Sequence, residues 1–170
     1  MTGVTAEPGF HFLLATPDGE AGIAVFELHG TGAATALQKV FRPRAKVLPE
    51  SGRSRLGDLV DLEGGLVDEA VVSNVPAAAS WAHLATWTVS VHGGLWIQEK
   101  TVSLLRELGG ARLDLRGVLT LSVEAGALDA VQAAAYELLI EARTDKAARF
   151  FVRQLAGSSP RAFAGVSRRR

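Results

Sequence analysis

The sequence predicts an α+β fold, in which a mixed β-sheet carries packed helices and is followed by a C-terminal helical hairpin. Short apolar, β-branched runs separated by turn residues dominate the first half. A strand, a His-Gly-Gly turn and an amphipathic helix then follow one another over 89–112. From 128 onward, apolar residues recur only at helical spacing. We therefore predict an α+β domain over 1–123, a helical hairpin over 124–157 and a disordered basic tail over 158–170.

The chain opens with two predicted strands, at 10–15 and 22–28, joined by a turn at Thr16–Gly19. This spacing favours a hairpin. Thr31 is the expected N-cap of a helix over 32–41. The prolines, glycines and charges that follow, over 42–55, predict a mobile loop.

The middle of the chain predicts a second hairpin, with its turn at Glu63-Gly64-Gly65, and then a central strand and a long helix. Gly109 and Gly110 stand where the cap that ends this helix belongs. The expected helix core comprises Ile97, Val102, Leu104, Leu105 and Leu108. The predicted elements here are strands at 55–62, 66–75 and 85–91, a helix at 95–108, and strands at 111–115 and 118–123.

Two helices are predicted at the end of the chain. The first covers 128–142 and is capped by Asp129, and the second runs from about 144 to 155. The second helix carries Phe150 and Phe151, which need a cover supplied by the body of the protein or by another chain.

Composition narrows the classes of function. The chain is 48% hydrophobic and 21% charged and has no cysteine, which excludes disulfides, thiol catalysis and cysteine-ligated metals. No apolar run is long enough to span a bilayer, and the N-terminus lacks the basic start of a secretory signal. We expect a cytoplasmic protein that does not associate with membranes.

The formal net charge of zero conceals a division along the chain. Residues 1–142 hold 10 Lys or Arg against 17 Asp or Glu, whereas residues 143–170 hold 8 against one. A basic end on an acidic body can contact tRNA. The alternative, which tails at chain termini favour, is a solvated helix face with a tail that balances the charge of the body.

Asp68-Glu69 leads without a gap to His92-Gly93-Gly94. This motif and several others, in order along the chain, resemble the N-terminal domain of the tRNA-modification GTPase family known as TrmE or MnmE. The flanking matches are Ala15-Thr16-Pro17, Gly22-Ile23, 104–112, 128–133 and 139–157. The resemblance covers about residues 10 to 157.

This resemblance implies a fold like that of tetrahydrofolate-binding domains, a homodimer, and a pocket for a one-carbon tetrahydrofolate derivative. It further implies partners in tRNA wobble-uridine modification, namely a GTPase and a flavoprotein. The 170 residues contain no G-x-x-x-x-G-K-[ST] phosphate loop, so they lack the chemistry for GTP hydrolysis.

The resemblance also locates a ligand pocket whose charged residues have changed. The family's two Arg residues fall at Glu20 and Glu27, its acid at Thr88 and its Lys at Ala127. An acid in place of a base reverses the electrostatics toward a folate carboxylate. The ligand-pocket candidates are Glu27, Thr88, His92 and Gly93, and we identify no catalytic or metal-binding residues.

Three functions remain in competition. The first is a non-catalytic, homodimeric domain related by descent to tRNA modification, with residual folate binding. The second is an adaptor that binds RNA, or a separately encoded GTPase or flavoprotein, through the helical hairpin and basic tail. The third is a folate-dependent aminomethyl-transfer enzyme, for which the sequence offers no evident acid, base or carbon-accepting group.

Overall fold

The computed structural model describes residues 8–157, and the predicted basic tail at 158–170 lies outside the described residues. The chain divides into two compact units between Asp114 and Leu115. The predicted domain division after residue 123 falls inside a helix of the second unit.

The first unit is built on a seven-stranded mixed sheet, which confirms the predicted α+β class. The strand order is β3-β4-β5-β6-β2-β1-β7, and every pairing is antiparallel except that of β1 with β7. Its elements are β1 (Phe10–Leu14), β2 (Ile23–His29), α1 (Gly32–Val40), β3 (Phe41–Pro43), β4 (Arg53–Val60), β5 (Leu66–Val75), β6 (Thr86–His92), α2 (Leu95–Glu107) and β7 (Gly110–Arg112).

One face of the sheet holds the core of the first unit. Alternate residues of the strands point to this face because side chains of a strand alternate with period two. Phe12, Phe26 and Val89 are fully buried there, in one cluster with Leu37 of α1 and Leu104 of α2. Both predicted hairpins are confirmed, and β6 occupies the predicted central position.

Helix α2 confirms the prediction for 95–108 closely. Leu104 and Leu105 are buried, and the other predicted core residues of this helix pack against the same cluster. Gly109 ends the helix with φ +87°, a left-handed conformation that glycine adopts without a Cβ clash, and its N–H donates to Arg106 O at 2.9 Å. Gly110 instead begins β7.

Two local predictions in the first unit are wrong. Thr31 makes no side-chain capping bond, because its backbone is already in the right-handed helical region instead of the extended conformation of a capping residue. Part of the predicted loop at 42–55 is strand: β3 pairs with β4 through Phe41 opposite Leu59 and Arg42 opposite Asp58. A three-residue strand leaves too short a pattern to detect.

The second unit consists of helices α3 (Leu115–Glu124), α4 (Ala130–Ile140) and α5 (Asp145–Gly157). The strand predicted at 118–123 is therefore wrong. Its alternation of apolar residues with Thr120 and Ser122 suggested a strand. In the helix, however, each hydroxyl donates to the carbonyl four residues earlier, at 2.9 Å in both cases, which satisfies it internally.

The predicted helical hairpin is confirmed as α4 and α5. Asp129 caps α4 in a reciprocal box: its carboxylate accepts from Gln132 N at 2.8 Å, and the Gln132 side chain accepts from Asp129 N at 3.0 Å. Gln132 also donates to Leu155 O at 3.2 Å, which ties the start of α4 to the end of α5. The two helices are thus antiparallel neighbours.

Candidate functional site

The face of the sheet opposite the core, which we call the outer face, carries the polar side chains of the strands. Direct cross-strand partners form one row across it: Leu13 with Glu27, Glu27 with Thr88, Thr88 with Ser73, and Ser73 with Ser54. The two serine hydroxyls lie 2.8 Å apart. Two predicted pocket residues, Glu27 and Thr88, are therefore immediate neighbours in this row.

Glu27 is the most strongly engaged polar residue of the row. Its side chain is only 13% exposed. The indole N–H of Trp81 donates to both carboxylate oxygens, at 2.9 and 3.2 Å. Because a charge-assisted hydrogen bond is stronger than a neutral one, this contact fixes the carboxylate in place.

His29 lies beside Glu27 and is 2% exposed. Thr86 Oγ1 donates its one proton to Leu84 O at 2.8 Å, so it accepts from His29 Nδ1 at 3.2 Å. The other ring nitrogen, Nε2, has no hydrogen-bond partner among the described residues and lies 3.6 Å from Glu27 Oε2. The carboxylate and the ring nitrogen thus lie side by side, and both are largely buried.

The third candidate, His92, belongs to a separate part of the sheet. It ends β6 four residues after Thr88, about 13 Å along the strand. Asp68 accepts from the backbone N–H of His92 at 2.7 Å and lies 2.8 Å from its Nδ1. The Asp68 side chain is nearly buried, so this contact orients an imidazole ring that is itself well exposed.

The fourth candidate, Gly93, lies where two backbone segments pack closely together. A Cβ at this position would lie 2.3 Å from Ala21 O, which is closer than real Cβ contacts come. Gly93 N donates to Gly22 O at 3.3 Å, and Gly93 O accepts from Ala21 N at 3.1 Å. The geometry thus assigns Gly93 a packing role between two strand ends.

The structure accordingly brings Glu27 and Thr88 together and places His92 and Gly93 elsewhere. Sequence reasoning missed His29 and Trp81 as partners of Glu27. A signal was available for His29, because residues two apart in a strand share a face. None was available for Trp81, which reaches Glu27 across 54 residues of sequence.

Within residues 8–157, no group of three or more His, Asp or Glu side chains could hold a metal ion. Over the same range, no helix is both long enough and apolar enough to cross a membrane.

A family model described as "GTP-binding protein TrmE N-terminus" matches residues 12–121. The chain is 34% identical over 146 residues to the tRNA modification GTPase MnmE of Lactococcus lactis subsp. cremoris strain MG1363, a match that covers 85% of this chain and 32% of the relative. The protein of the same name from Acinetobacter baumannii strain AYE is 33% identical over 145 residues, covering 85% and 31%.

A third relative, the tRNA modification GTPase MnmE of Streptococcus pyogenes serotype M5, is 32% identical over 147 residues, which are 85% of this chain and 32% of the relative. The chain therefore spans about a third of the length of the curated relatives it matches. These matches confirm the resemblance drawn from the motifs.

Proposed function

The chain belongs to the TrmE N-terminal family, related to the N-terminal domain of tRNA modification GTPases, and from that premise we propose that it is a non-catalytic, homodimeric, cytoplasmic member of this family. One observation carries the dimer: apolar side chains remain uncovered in the middle of the outer face. We propose that a second copy of the chain covers these side chains.

These apolar side chains adjoin the polar row. Val25 and Val71 are both cross-strand partners of Ser90, and Leu56 is the partner of Val71. Val71 and Leu56 are exposed, as is Ile23 at the start of β2. Exposed apolar side chains interspersed with hydroxyl groups in this way are typical of protein interfaces.

Light scattering over a range of concentrations tests the dimer. Val71→Asp places a charge in the apolar strip and is expected to shift the mass toward that of a monomer. Val47→Asp is the matched control, since Val47 is 60% exposed in the loop between β3 and β4, whereas Val71 is 38% exposed on the sheet. A wild-type monomer at all concentrations, or a Val71→Asp protein that dimerises like wild type, contradicts the proposal.

The absence of catalysis is proposed because the resemblance implies a changed charge pattern at the pocket, and because these 170 residues contain no phosphate loop. Incubated with GTP and Mg²⁺, the protein is expected to release phosphate no faster than buffer. Incubated with methylene-tetrahydrofolate and an amine acceptor, it is expected to leave the one-carbon unit in place. Turnover in either assay that scales with protein concentration contradicts this part of the proposal.

Residual binding of a one-carbon tetrahydrofolate derivative is proposed at Glu27 and Thr88. Their direct pairing on the outer face supports a shared contact, while the Glu27 carboxylate opposes the carboxylates of a folate. Calorimetry with 5-formyl-tetrahydrofolate tests binding, and Glu27→Gln is expected to strengthen it. Glu63→Gln, in an exposed turn, removes the same charge elsewhere. If neither the wild-type protein nor the Glu27→Gln variant gives heat at high micromolar ligand, residual binding is ruled out.

The second candidate function is an adaptor that uses helix α5. This helix exposes Phe150 and Val152, with the exposed bases Lys146 and Arg153 on the same short segment. Exposed aromatic residues among basic ones suit both an RNA and a protein partner such as a separately encoded GTPase or flavoprotein.

Salt-dependent tRNA binding tests the adaptor. Replacing Lys146 and Arg153 with Ala is expected to weaken binding and to reduce the slope of log affinity against log salt by about two. The paired control replaces Lys39 and Arg53, exposed bases of the first unit. If both double variants weaken tRNA binding equally, the binding reflects only non-specific electrostatic attraction, and the adaptor proposal is contradicted.

A further inference from the structure

A cleft of about 470 Å³ lies on the first unit between helix α2 and the turn that follows β1. Its volume falls in the range of small-molecule sites. Its lining residues come from three parts of the fold, namely Leu14 with the β1–β2 turn, several positions of α2, and Arg112 of β7. No residue of the Glu27 row contributes to it.

Helix α2 contributes two charges of opposite sign to the cleft, and Asp18 of the turn and Arg112 of β7 add one further charge of each sign. Glu99 and Arg106 both line it and are seven residues apart on α2, so they share one side of the helix about 10 Å apart along its axis. Neither side chain has a hydrogen bond or an ion pair with any residue of the described part of the chain. At this separation the two charges do not satisfy each other.

Apolar surface connects these two charges. Val102 lies between them on the helix, and Leu14 and Leu95 contribute the remaining apolar lining. Arg112 adds a second cation, whose contact with Asp18 is long, at 3.7 Å, and exposed. An exposed pair of this kind contributes little, so a ligand carboxylate can compete with Asp18 for Arg112.

The walls of the cleft are held together by Gln98, which is buried. Its amide N–H₂ group donates to Gly19 O in the turn and to Gly93 O at the start of α2, both at 2.8 Å. The turn is thereby fastened to the helix, so the cleft is present before any ligand arrives.

We propose that this cleft binds a small, elongated zwitterion, with an ammonium group at Glu99, a carboxylate at Arg106 and Arg112, and a short apolar chain between them. The two unpaired charges select both ends of such a ligand, and their spacing selects its length. This site is separate from the one in the proposed function, and either can fail without the other.

The test uses 6-aminohexanoate, in which five methylene groups separate the ammonium and the carboxylate. Titrated into ¹⁵N-labelled protein, it is expected to shift the backbone amide resonances of Glu99, Val102 and Arg106. Hexanoate and hexylamine, which each lack one charged end, are expected to bind at least about fivefold more weakly, as is 4-aminobutyrate, which is too short. Hexanoate or hexylamine binding as tightly as 6-aminohexanoate overturns the proposal, as does the absence of any shift at millimolar ligand.

Variants then assign the two ends. Glu99→Gln and Arg106→Gln are each expected to weaken 6-aminohexanoate binding about fivefold, and Glu99→Gln should leave hexanoate binding unchanged. Glu63→Gln and Arg53→Gln are matched controls on exposed residues outside the cleft. Because Glu99 and Arg106 are exposed and have no polar partner among residues 8–157, these variants are expected to retain the fold, which the spectra of the free proteins check. Unchanged affinity in both cleft variants contradicts the assignment.

Discussion

The contact between Trp81 and Glu27 provides the sharpest test of the outer face. Trp81→Phe keeps an aromatic ring but removes the N–H that donates to both oxygens of the Glu27 carboxylate. Because that side chain is only 13% exposed, water replaces the lost donor incompletely. A hydrogen bond to a charged group contributes about 1.5–3 kcal/mol, and we expect the free energy of unfolding to fall by about 2 kcal/mol.

Urea unfolding followed by far-UV circular dichroism measures this loss. The control is Trp96→Phe, which makes the same chemical change at a residue that is 63% exposed and is expected to cost no more than about 0.5 kcal/mol. Since the smaller ring of Phe also changes packing, a double-mutant cycle with Glu27→Ala, which removes both acceptor oxygens, isolates the contact. We expect a coupling energy of about 1–2 kcal/mol.

Two results would refute this reasoning. Equal destabilisation by Trp81→Phe and Trp96→Phe would show that the N–H contributes nothing beyond ring volume. A coupling energy below about 0.3 kcal/mol, the level at which distant sites simply add, would show that the two side chains act independently. Either outcome would remove Glu27 as a fixed carboxylate of the outer face.

Two further predictions concern the backbone. Gly93→Ala is expected to lower the free energy of unfolding by about 3 kcal/mol or more, because its Cβ would lie 2.3 Å from Ala21 O. The control is Gly94→Ala, whose added Cβ would have its nearest neighbouring atom 4.0 Å away and which is expected to change stability by no more than about 0.5 kcal/mol. Thermal denaturation measures both variants. Asp129→Ala is expected to cost about 1 kcal/mol, since it removes the acceptor for Gln132 N, and loss of helical circular dichroism below the main transition would locate the effect in α4. Equal melting temperatures for Gly93→Ala and Gly94→Ala would contradict the first prediction. An Asp129→Ala protein as stable as wild type would contradict the second.

The elements that could be predicted are those whose local pattern and tertiary packing agree. The hairpin of β4 and β5 has a Gly-Gly turn between two alternating runs, and α2 has its apolar residues at helical spacing with a glycine immediately after it. In both elements, the secondary structure that the local sequence favours is also the one that tertiary packing requires. The prediction for α4 succeeded for the same reason, since Asp129 and Gln132 stand three residues apart, as a capping box requires.

The elements that were missed depend on contacts that a local window does not contain. Helix α3 alternates apolar residues with Thr120 and Ser122, a strand-like pattern, yet its hydroxyls bond back to the helix itself. Strand β3 exists only through its pairing with β4, and its three residues show no period of their own. The candidate site is similar: Glu27 and Thr88 were singled out, but Trp81 lies far away in sequence.

The alternation of side chains along β2 and β6 explains how the scaffold of this family can persist while the chemistry of its outer face changes. Phe26 and Val89 are buried on the core side, and their strand neighbours Glu27 and Thr88 point to the opposite side. A change at Glu27 or Thr88 therefore leaves every core contact in place, whereas a one-residue slip of either strand would exchange the two faces completely. The core and the outer row are consequently independent features of the sequence. The first supports membership of the family, and only the second bears on what the protein binds.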